Sequence, residues 1–304
     1  MRPISFFLKN PYQIYASAVD RIRWALPDRA YLKVAFRKHF GYKLNLSSPK
    51  TFSEKLQWLK LYDRRPEYTI MVDKVKAKDY VASIIGEEYI IPTLGVWKDP
   101  EEIEFDKLPD RFVLKCNHNS GLGMYICKDK SIMDVQKVKE GLKKGLKENH
   151  YSHSREWPYK NVPHRILAEQ YIEPDLETND LPDYKFFCFD GRVKALFIAT
   201  DRSKGEHAVK FDFFDDNFNH LPFTNGHPNA KVPPQKPKMF EEMKMIASKL
   251  SKGIPQVRID LYEVNGKIYF GEMTFSHWGG FMPYDPPEWD RWLGDMVVLP
   301  SKTR

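Results

Sequence analysis

The sequence has few cysteines and lacks a long apolar run. Its 304 residues include 3 cysteines, and the spacing of Cys116, Cys127 and Cys188 fits neither a zinc site nor a redox motif. Reduced thiols in the cytoplasm are therefore expected. No stretch approaches the roughly 20 apolar residues of a membrane-spanning helix, and charged residues interrupt the apolar residues at the N-terminus, which argues against a signal peptide.

Internal repeats and low-complexity segments are also lacking. The chain is 42% hydrophobic and 29% charged, which indicates a globular protein long enough for a sizeable core. Its net charge of +7 suits an anionic partner such as a nucleotide, an acidic glycan or a membrane surface. Nucleic acid has only this charge in its favour, and we do not expect it as a partner.

Residues 1–48 predict a basic, amphipathic, helical arm. Apolar residues such as Ile14 and Trp24 are mixed with Arg21, Arg23 and Lys33. An arm of this kind can lie on an anionic membrane, although packing on its own domain is more common. A peripheral contact with the inner face of the membrane is therefore one expectation.

The most informative stretch, residues 257–280, predicts two strands joined by a turn at Asn265-Gly266. One acid lies on each strand, Asp260 and Glu272. On the second strand, alternation places four side chains on one face: Ile268, Phe270, Glu272 and Thr274.

The length of the turn decides whether the two acids meet. A two-residue loop would place Asp260 opposite Gly271, so that Asp260 and Glu272 face opposite sides. A three-residue loop with a bulge would place Asp260 opposite Phe270, which makes the acids diagonal neighbours on one face. With Thr274, they would then form an oxygen-ligand site for Mg²⁺. The alternative is a pair of solvated acids balanced by nearby cations.

A second motif is a strand over 112–116, a loop rich in small residues from Asn117 to Met124, and another strand up to residue 127. Backbone N–H groups in such a loop can cap phosphates, and Lys115 at the strand end is well placed to contact one. It is not a Walker A loop, because GK[ST] is absent, and a plain hairpin is the alternative. A single helix over 71–81 is expected before it, with Lys74, Lys76 and Lys78 on its polar faces.

Two further elements complete the pattern. Residues 165–172 predict a strand that carries Glu169 and ends at Glu173-Pro174. Residues 184–200 predict a hairpin with an Asp190-Gly191 turn, and Lys185 lies near its start.

This order of elements resembles the ATP-grasp fold, and more closely the TupA-like ATP-grasp proteins of teichuronopeptide and capsular polysaccharide clusters. The segments that carry the resemblance are TFSEKLQWLK, VDKVKAKDYV, FVLKCNHNSG, RILAEQYIEPD, DYKFFCFDG and VRIDLYEVNGKIYFGEMTFSHWGG. They cover roughly residues 51–280, so the resemblance extends over most of the chain.

The resemblance implies ATP and Mg²⁺ as cofactors. Lys115 would contact the α/β-phosphates, with Lys74 or Lys76 as weaker candidates, and Lys185 would contact the γ-phosphate. Glu169 would accept a hydrogen bond from the adenine amino group. The phosphate-covering loop would comprise Asn119, Ser120, Gly121 and Gly123. The hinge beside the adenine would comprise Gln170, Tyr171 and Ile172, with Glu173 or Asp175 near the ribose.

The same resemblance places one or two Mg²⁺ on Asp260 and Glu272. Thr274 stands where many ATP-grasp proteins have asparagine, and its hydroxyl is a weaker ligand. The acceptor and the developing charge would be surrounded by Arg202, Arg258 and His277. Each of these side chains also has an ordinary structural interpretation, such as a surface charge or a polar residue at a turn.

The implied architecture is α+β, with two α+β lobes whose largely antiparallel sheets sandwich ATP, after a helical N-terminal region. We expect a helical arm over 1–50, an N-terminal α/β region over 51–110, a small lobe over 111–168 and a large lobe over 169–304. The implied reaction is ATP-dependent carboxylate–amine ligation through an acylphosphate. It would attach an amino acid or amine to a cell-surface polysaccharide or its uronic-acid precursor.

Other functions stay open. A kinase acting on a sugar hydroxyl would use the same phosphate and metal residues. A glycosyltransferase would favour an Asp-x-Asp pattern, which Asp212-Phe-Phe-Asp215 does not provide. A non-catalytic glycan-binding protein ranks last, since it would not need the acid pair and the strand lysine together.

Overall fold

The computed structural model describes residues 11–174, 181–202 and 205–302. Ten strands occur in this part of the chain: β1 (Thr93–Trp97), β2 (Phe112–Cys116), β3 (Tyr125–Cys127), β4 (Ile166–Gln170), β5 (Asp183–Phe189), β6 (Arg192–Thr200), β7 (Lys210–Asp215), β8 (His220–Leu221), β9 (Val257–Val264) and β10 (Lys267–Thr274). Nine α-helices accompany them in the same ranges: α1 (Pro11–Arg21), α2 (Asp28–Phe40), α3 (Phe52–Tyr62), α4 (Glu67–Val72), α5 (Lys76–Ile85), α6 (Val135–Leu146), α7 (His150–Ser154), α8 (Phe240–Leu250) and α9 (Glu288–Met296).

The strands form two sheets. One sheet has four strands in the order β1-β4-β2-β3, and the other has six in the order β10-β9-β5-β6-β7-β8. Every described strand pair is antiparallel. The predicted α+β class with antiparallel sheets is therefore confirmed. The expected boundary between the lobes at residue 168 falls inside β4.

Both faces of the six-stranded sheet are covered because its strands are apolar on both sides. Phe186 and Ile259 face one cluster with Phe240 and Met243 of α8. On the other face, Phe187, Phe197 and Phe213 pack with Phe52 of α3 and Leu293 of α9, a helix that the sequence analysis did not predict. The smaller sheet packs on α6 through Val138 and Leu142. These apolar layers fix the positions of the strands that carry the polar site residues.

The single helix expected over 71–81 is wrong. The chain leaves α4 at Asp73, whose carboxylate accepts hydrogen bonds from Val75 N at 3.0 Å and Asn117 Nδ2 at 2.7 Å. It also pairs with Arg165 at 2.6 Å. These contacts satisfy the acid and interrupt the helix, so that Lys74 lies between α4 and α5. The break joins the helical region directly to the start of the loop after β2.

The N-terminal helices α1 and α2 confirm the helical character of the arm over the part described, while residues 1–10 lie outside it. Across the described residues, the structure contains no helix with the length and apolar character needed to traverse a bilayer.

Candidate functional site

The β9–β10 hairpin combines features of both turn alternatives. Asn265 and Gly266 form a two-residue turn with φ of 51° and 69°, and Val264 pairs with Lys267. The register then shifts at Gly271, which is an extra residue between the pairs Phe270–Leu261 and Glu272–Asp260. The bulge therefore lies within β10, not at the turn, and Asp260 is directly opposite Glu272.

This bulge also corrects the expected face of β10. Ile268 and Phe270 pack in the apolar cluster, whereas Glu272 and Thr274 pair with Asp260 and Arg258 on the polar face. The four side chains predicted to share one face are thus divided between two, because a bulge reverses the alternation of the residues that follow it. The result is an acid pair on one face, as the sequence analysis expected only for a bulged hairpin.

Arg258 connects the members of this acid pair. Its Nε and Nη2 donate to both oxygens of Asp260 at 2.7 Å, and Nη2 also donates to Glu272 Oε1 at 3.1 Å. Thr274 Oγ1 accepts from Nη2 at 3.0 Å and donates to Glu272 Oε1 at 3.2 Å. Burial opposes the charge on Arg258, but the adjacent Asp260 and Glu272 carboxylates hold its pKa above its ordinary value.

Lys185 joins the cluster from β5. It is opposite Asp260 in the sheet, and its ammonium group contacts the Asp260 carboxylate and lies 2.7 Å from Asp183 Oδ2. Arg202 contacts the same Asp183 oxygen at 3.0 Å from the partly exposed rim. Asp183 Oδ1 is buried, and no described residue gives it a hydrogen bond. Asp183 is therefore a site residue that the sequence analysis did not select.

Glu169 lies on the facing polar side of the small sheet. Its carboxylate lies 2.5 Å from Lys115 Nζ and 2.7 Å from Lys78 Nζ. Burial alone would raise the pKa of Glu169, but these two ammonium groups outweigh it and hold the pKa at about 2. β4 is a central strand, so Glu169 is not an edge carboxylate. Lys78 is a second residue that the sequence analysis did not select, whereas Lys76 is exposed.

Lys74 connects the acid pair to the loop after β2. Its Nζ lies 3.6 Å from Glu272 Oε2 and donates to Asn119 O at 2.8 Å. Burial raises the pKa of Glu272, but Lys74, Lys185 and Arg258 together keep it well below its ordinary value. Of the two lysines offered as weaker phosphate candidates, Lys74 lies beside the acid pair, whereas Lys76 is exposed.

The loop after β2 is fixed at its ends and exposed at its tip. Asn119 is buried and donates to Gly145 O at 3.0 Å, while Ser120 and Gly121 are exposed. Gly123 has φ of 76°, and a Cβ there would lie 3.0 Å from the Gly145 Cα. Its glycine is thus needed for the close approach to α6. The exposed tip leaves backbone groups available at the mouth of the site.

Two adjoining clefts lie between the sheets and share Ile91. The first is lined by Lys74, Lys78, Ile90, Ile91, Lys115, Glu169, Phe270 and Gly271. The second is lined by Ile91, Pro92, Gln170, Tyr171, Ile172, Glu173, Asn265 and Tyr269. The predicted hinge therefore lies beside the cationic cleft. Glu173 pairs with Arg111 at 2.7 Å on the exposed rim, and Asp175 lies outside the described residues.

The first cleft and the cluster around the acid pair together carry an excess of positive charge. Six cationic side chains surround four carboxylates: Lys74, Lys78, Lys115, Lys185, Arg202 and Arg258 against Glu169, Asp183, Asp260 and Glu272. Most of these groups are shielded from water, where an unbalanced charge is costly. Such a cluster favours a polyanion that supplies the missing negative charge.

The residues present fit a magnesium ion. Asp260, Glu272 and Thr274 offer only oxygen atoms, and Mg²⁺ usually takes one or two carboxylates and completes its shell with water and phosphate oxygens. In the described ranges, no group of three or more His, Cys, Asp or Glu residues forms an all-protein metal site. A metal held by Asp260, Glu272 and Thr274 would complete its shell with water or with oxygens of a bound substrate.

His277 lies behind Arg258 rather than at the open side of the cleft. Its Nδ1 is 2.8 Å from Arg258 Nη1, and its Nε2 is 2.9 Å from Asn225 Oδ1. Burial, with Arg258 and Lys185 nearby, places the pKa of His277 well below its ordinary value. Asn225 is a residue that the sequence analysis missed, since it is far away along the chain and no local pattern marks it.

Comparisons with known proteins add to this geometry. The family model for TupA-like ATP-grasp proteins matches residues 54–298. No curated protein matches the chain. Similar solved structures include the D-alanine–D-alanine ligase from Bacillus anthracis, with 17% identity, a TM-score of 0.40 and coverage of 68% of this chain and 57% of that one. The D-alanine–D-alanine ligase from Helicobacter pylori has 12% identity, a TM-score of 0.41 and coverage of 75% of this chain and 62% of that one.

N5-carboxyaminoimidazole ribonucleotide synthetase from Thermus thermophilus is also similar, with 12% identity, a TM-score of 0.39 and coverage of 68% of this chain and 45% of that one. The chain thus spans less than two thirds of the length of these structures, and likenesses at this level say nothing of its substrates. The family match supports the predicted ATP-grasp fold. Because this match extends over most of the chain, the chain belongs to the TupA-like ATP-grasp family.

Proposed function

We propose that the protein is an ATP-dependent carboxylate–amine ligase that acts through an acylphosphate and releases ADP. Its proposed substrates are an amino acid or amine and a cell-surface polysaccharide or uronic-acid precursor. The observation that carries the proposal is the buried cationic cluster beside the Asp260–Glu272 pair. This cluster adjoins the cleft at residues 170–173, so one extended ligand can contact both.

In this proposal the base and the phosphates occupy different clefts. The base packs near Tyr171 and Ile172, while Lys115, Lys78 and Lys74 lie along the path of the phosphates. Glu169 holds Lys78 and Lys115 in place through its two ion pairs. Fixed charges of this kind need no reorganisation during the reaction, which is how electrostatic catalysis lowers a barrier.

Lys185 and Arg258 are proposed to stabilise the transferring phosphoryl group. Both contact Asp260, so they lie where the γ-phosphate would approach the metal ligands. Mg²⁺ held by Asp260 and Glu272 would supply charge neutralisation at the phosphates. Arg202, on the rim beside Asp183, is placed to contact the second substrate. No residue is assigned as a covalent nucleophile.

We also propose that the arm contacts an anionic membrane. Ile14, Tyr15, Ile22 and Trp24 are exposed, and Trp24 is 80% exposed. Exposed Arg21 and Arg29 lie near them in sequence, which suits interfacial binding to anionic lipid. Such a contact would bring the enzyme close to membrane-linked glycan substrates.

The first experiment is thermal unfolding with MgATP, Mg²⁺ alone and ATP alone, for the wild type and Glu272→Gln. A ligand at about 100 times its Kd adds about 2.7 kcal/mol, which is a rise of about 4 °C in the unfolding temperature for a chain of 304 residues. We expect this rise only with MgATP, and a smaller one in Glu272→Gln.

The product then distinguishes a ligase from a kinase. MgATP is supplied with candidate uronic acids and amino acids, and mass spectrometry determines whether an amide or a phosphate ester forms. An amide with ADP supports the ligase, whereas a phosphate ester identifies the kinase alternative. Stabilisation by a UDP-sugar and not by MgATP would reject nucleotide-dependent ligation and favour the glycosyltransferase.

A further inference from the structure

A buried relay connects the loop after β8 to the acid pair. Asn225 Nδ2 donates to Met282 O and Pro283 O, both at 3.0 Å. Carbonyl oxygens can only accept, so the amide nitrogen must face them and Oδ1 must face His277. The orientation of Asn225 is therefore determined by two backbone groups.

This orientation fixes the tautomer of His277. Asn225 Oδ1 accepts a hydrogen bond from Nε2 at 2.9 Å, so the ring proton is on Nε2. Nδ1 is then unprotonated and accepts from Arg258 Nη1 at 2.8 Å, because a guanidinium group has no acceptor. Only the neutral Nε2–H form of His277 satisfies both neighbours.

The surroundings preserve that form. Asn225 and His277 are 1% and 4% exposed, and the rings of Phe187 and Phe197 lie 5.3 and 5.1 Å from the imidazole. The charged groups that oppose protonation are both cationic, Arg258 and Lys185. The imidazole therefore has no role as a proton donor to solvent or substrate in this arrangement.

The hydrogen bonds of Arg258 differ in whether a divalent cation would compete for their acceptor atoms. Its bonds to Asp260 and Glu272 use carboxylate oxygens that a divalent cation would also take. Its bond to His277 uses a nitrogen outside the acid pair. We infer that His277, oriented by Asn225, is a positioning residue that keeps Arg258 in place beside the acid pair when Asp260 and Glu272 bind a cation. This inference rests on the proposed role of Arg258 at the transferring phosphoryl group.

Two variants at position 277 separate the two ring nitrogens. In His277→Asn the shorter amide can place its oxygen near the position of Nδ1 and still accept from Arg258. In His277→Gln the longer amide reaches toward the position of Nε2 and Asn225, so Arg258 loses its acceptor. The two changes are chemically alike, so a purely structural role would make their effects similar.

The readout is the ratio of MgATP to MgADP affinity by calorimetry, since this ratio isolates contacts to the γ-phosphate. Arg258→Met and His277→Gln should each lower the wild-type preference for MgATP by about tenfold, the effect of one lost charge-assisted hydrogen bond. His277→Asn should stay within about threefold of the wild type. Exposed His207 provides the control His207→Gln, which should leave the ratio unchanged.

A second readout does not need nucleotide. Nitrogen-15 NMR of histidine-labelled protein, with the His277 signal assigned by its loss in His277→Asn, should show the neutral Nε2–H form from pH 6 to 8, with and without Mg²⁺. An Nδ1–H tautomer or an imidazolium ion would overturn the inference, even if His277→Gln does not fold. Equal losses in His277→Asn and His277→Gln would also overturn it.

A different result would reject the proposed role of Arg258 at the transferring phosphoryl group. If the wild type shows no preference for MgATP, or Arg258→Met leaves that preference unchanged, Arg258 does not contact the γ-phosphate. If Arg258→Met lowers the preference and His277→Gln does not, only the positioning role is rejected.

Discussion

Lys78 and Glu169 form a buried ion pair, 2.7 Å apart, between α5 and the central strand of the small sheet. Lys78 Nζ also donates to Ile91 O at 2.6 Å, at the residue that both clefts share. Lys78 thus connects Glu169 to Ile91, the residue shared by the cleft proposed for the base and the cleft proposed for the phosphates.

Replacing Lys78 tests this link. In Lys78→Met, Glu169 keeps only Lys115 as a charged partner, and the Ile91 carbonyl loses its donor. We expect a loss of about 1–3 kcal/mol in the free energy of unfolding, measured with urea, because a buried hydrogen-bonding group loses its partner. The exposed Lys76 allows the matched control Lys76→Met, which should change stability by less than about 0.5 kcal/mol.

The same variant has an expected pH signature. The folded pKa of Glu169 is about 2, below the ordinary 4.5. A depressed acid pKa stabilises the fold above about pH 4.5, and this contribution is lost as the pH falls toward 2. With only one lysine left, the folded pKa rises, so the pH-dependent part of the stability should shrink. If the stability of Lys78→Met falls between about pH 4.5 and 2 as steeply as that of the wild type, the paired role of Lys78 is contradicted.

A second prediction concerns the bulge at Gly271. A Cβ at this position would lie 3.1 Å from both Asp260 O and Tyr262 Cε2. We expect Gly271→Ala to disturb the register that aligns Asp260 with Glu272, with a loss of about 1 kcal/mol or more in stability and weaker MgATP binding by calorimetry. Gly141→Ala is the control, since a Cβ there meets no atom within 4 Å. Equal MgATP affinity in the two variants would show that the bulge does not set the site.

The bulge shows where prediction from sequence reaches its limit. Asp260 and Glu272 could be identified because each acid interrupts an apolar strand, whereas Lys185 was selected only through the resemblance to the ATP-grasp family. The position of the bulge could not be predicted, because the Asn265-Gly266 turn was an equally suitable place for an extra residue. Both turn geometries fit local propensities. Only packing of Ile268 and Phe270 in the core decides it.

Contacts between residues that are distant in sequence could not be predicted either. Lys78 was visible as a polar residue on a predicted helix, but the break at Asp73 depends on Asn117 and Arg165, which are distant in sequence. Asn225 lies in a loop between elements and acquires its role only through His277. Alternation along a strand predicts faces, whereas contacts between loops depend on the completed fold.

A third prediction follows from His118 at the base of the loop after β2. It is 1% exposed, its ring stacks on His164 with centroids 3.6 Å apart, and Nε2 donates to Glu148 O at 3.2 Å. Burial first, and then the His164 charge, lower the pKa of His118 to about 4. The folded state therefore resists protonation at a pH where the unfolded chain accepts it.

The sign of the effect follows from linkage. Between about pH 6.5 and 4 the unfolded state binds more protons, so stability falls as the pH decreases. The full shift corresponds to about 3 kcal/mol. His118→Asn should flatten this part of the curve in urea unfolding, while His207→Gln, at an exposed position, should not. Parallel pH curves for the wild type and His118→Asn would contradict the prediction.

The last prediction concerns the arm. Ile22 and Trp24 are 51% and 80% exposed, and exposed Arg21 precedes them. Burying two such apolar side chains in a bilayer interface contributes several kcal/mol at most, so Ile22→Ser with Trp24→Ser should lower binding to vesicles containing phosphatidylserine by about tenfold or more, measured by sedimentation. Ile132→Ser is the control, because Ile132 is 82% exposed on a different part of the fold. Binding to neutral phosphatidylcholine vesicles should be weaker throughout, since Arg21 and Arg29 favour anionic lipid. If the double variant binds phosphatidylserine vesicles as the wild type does, the segment between α1 and α2 that carries Ile22 and Trp24 is not the membrane contact.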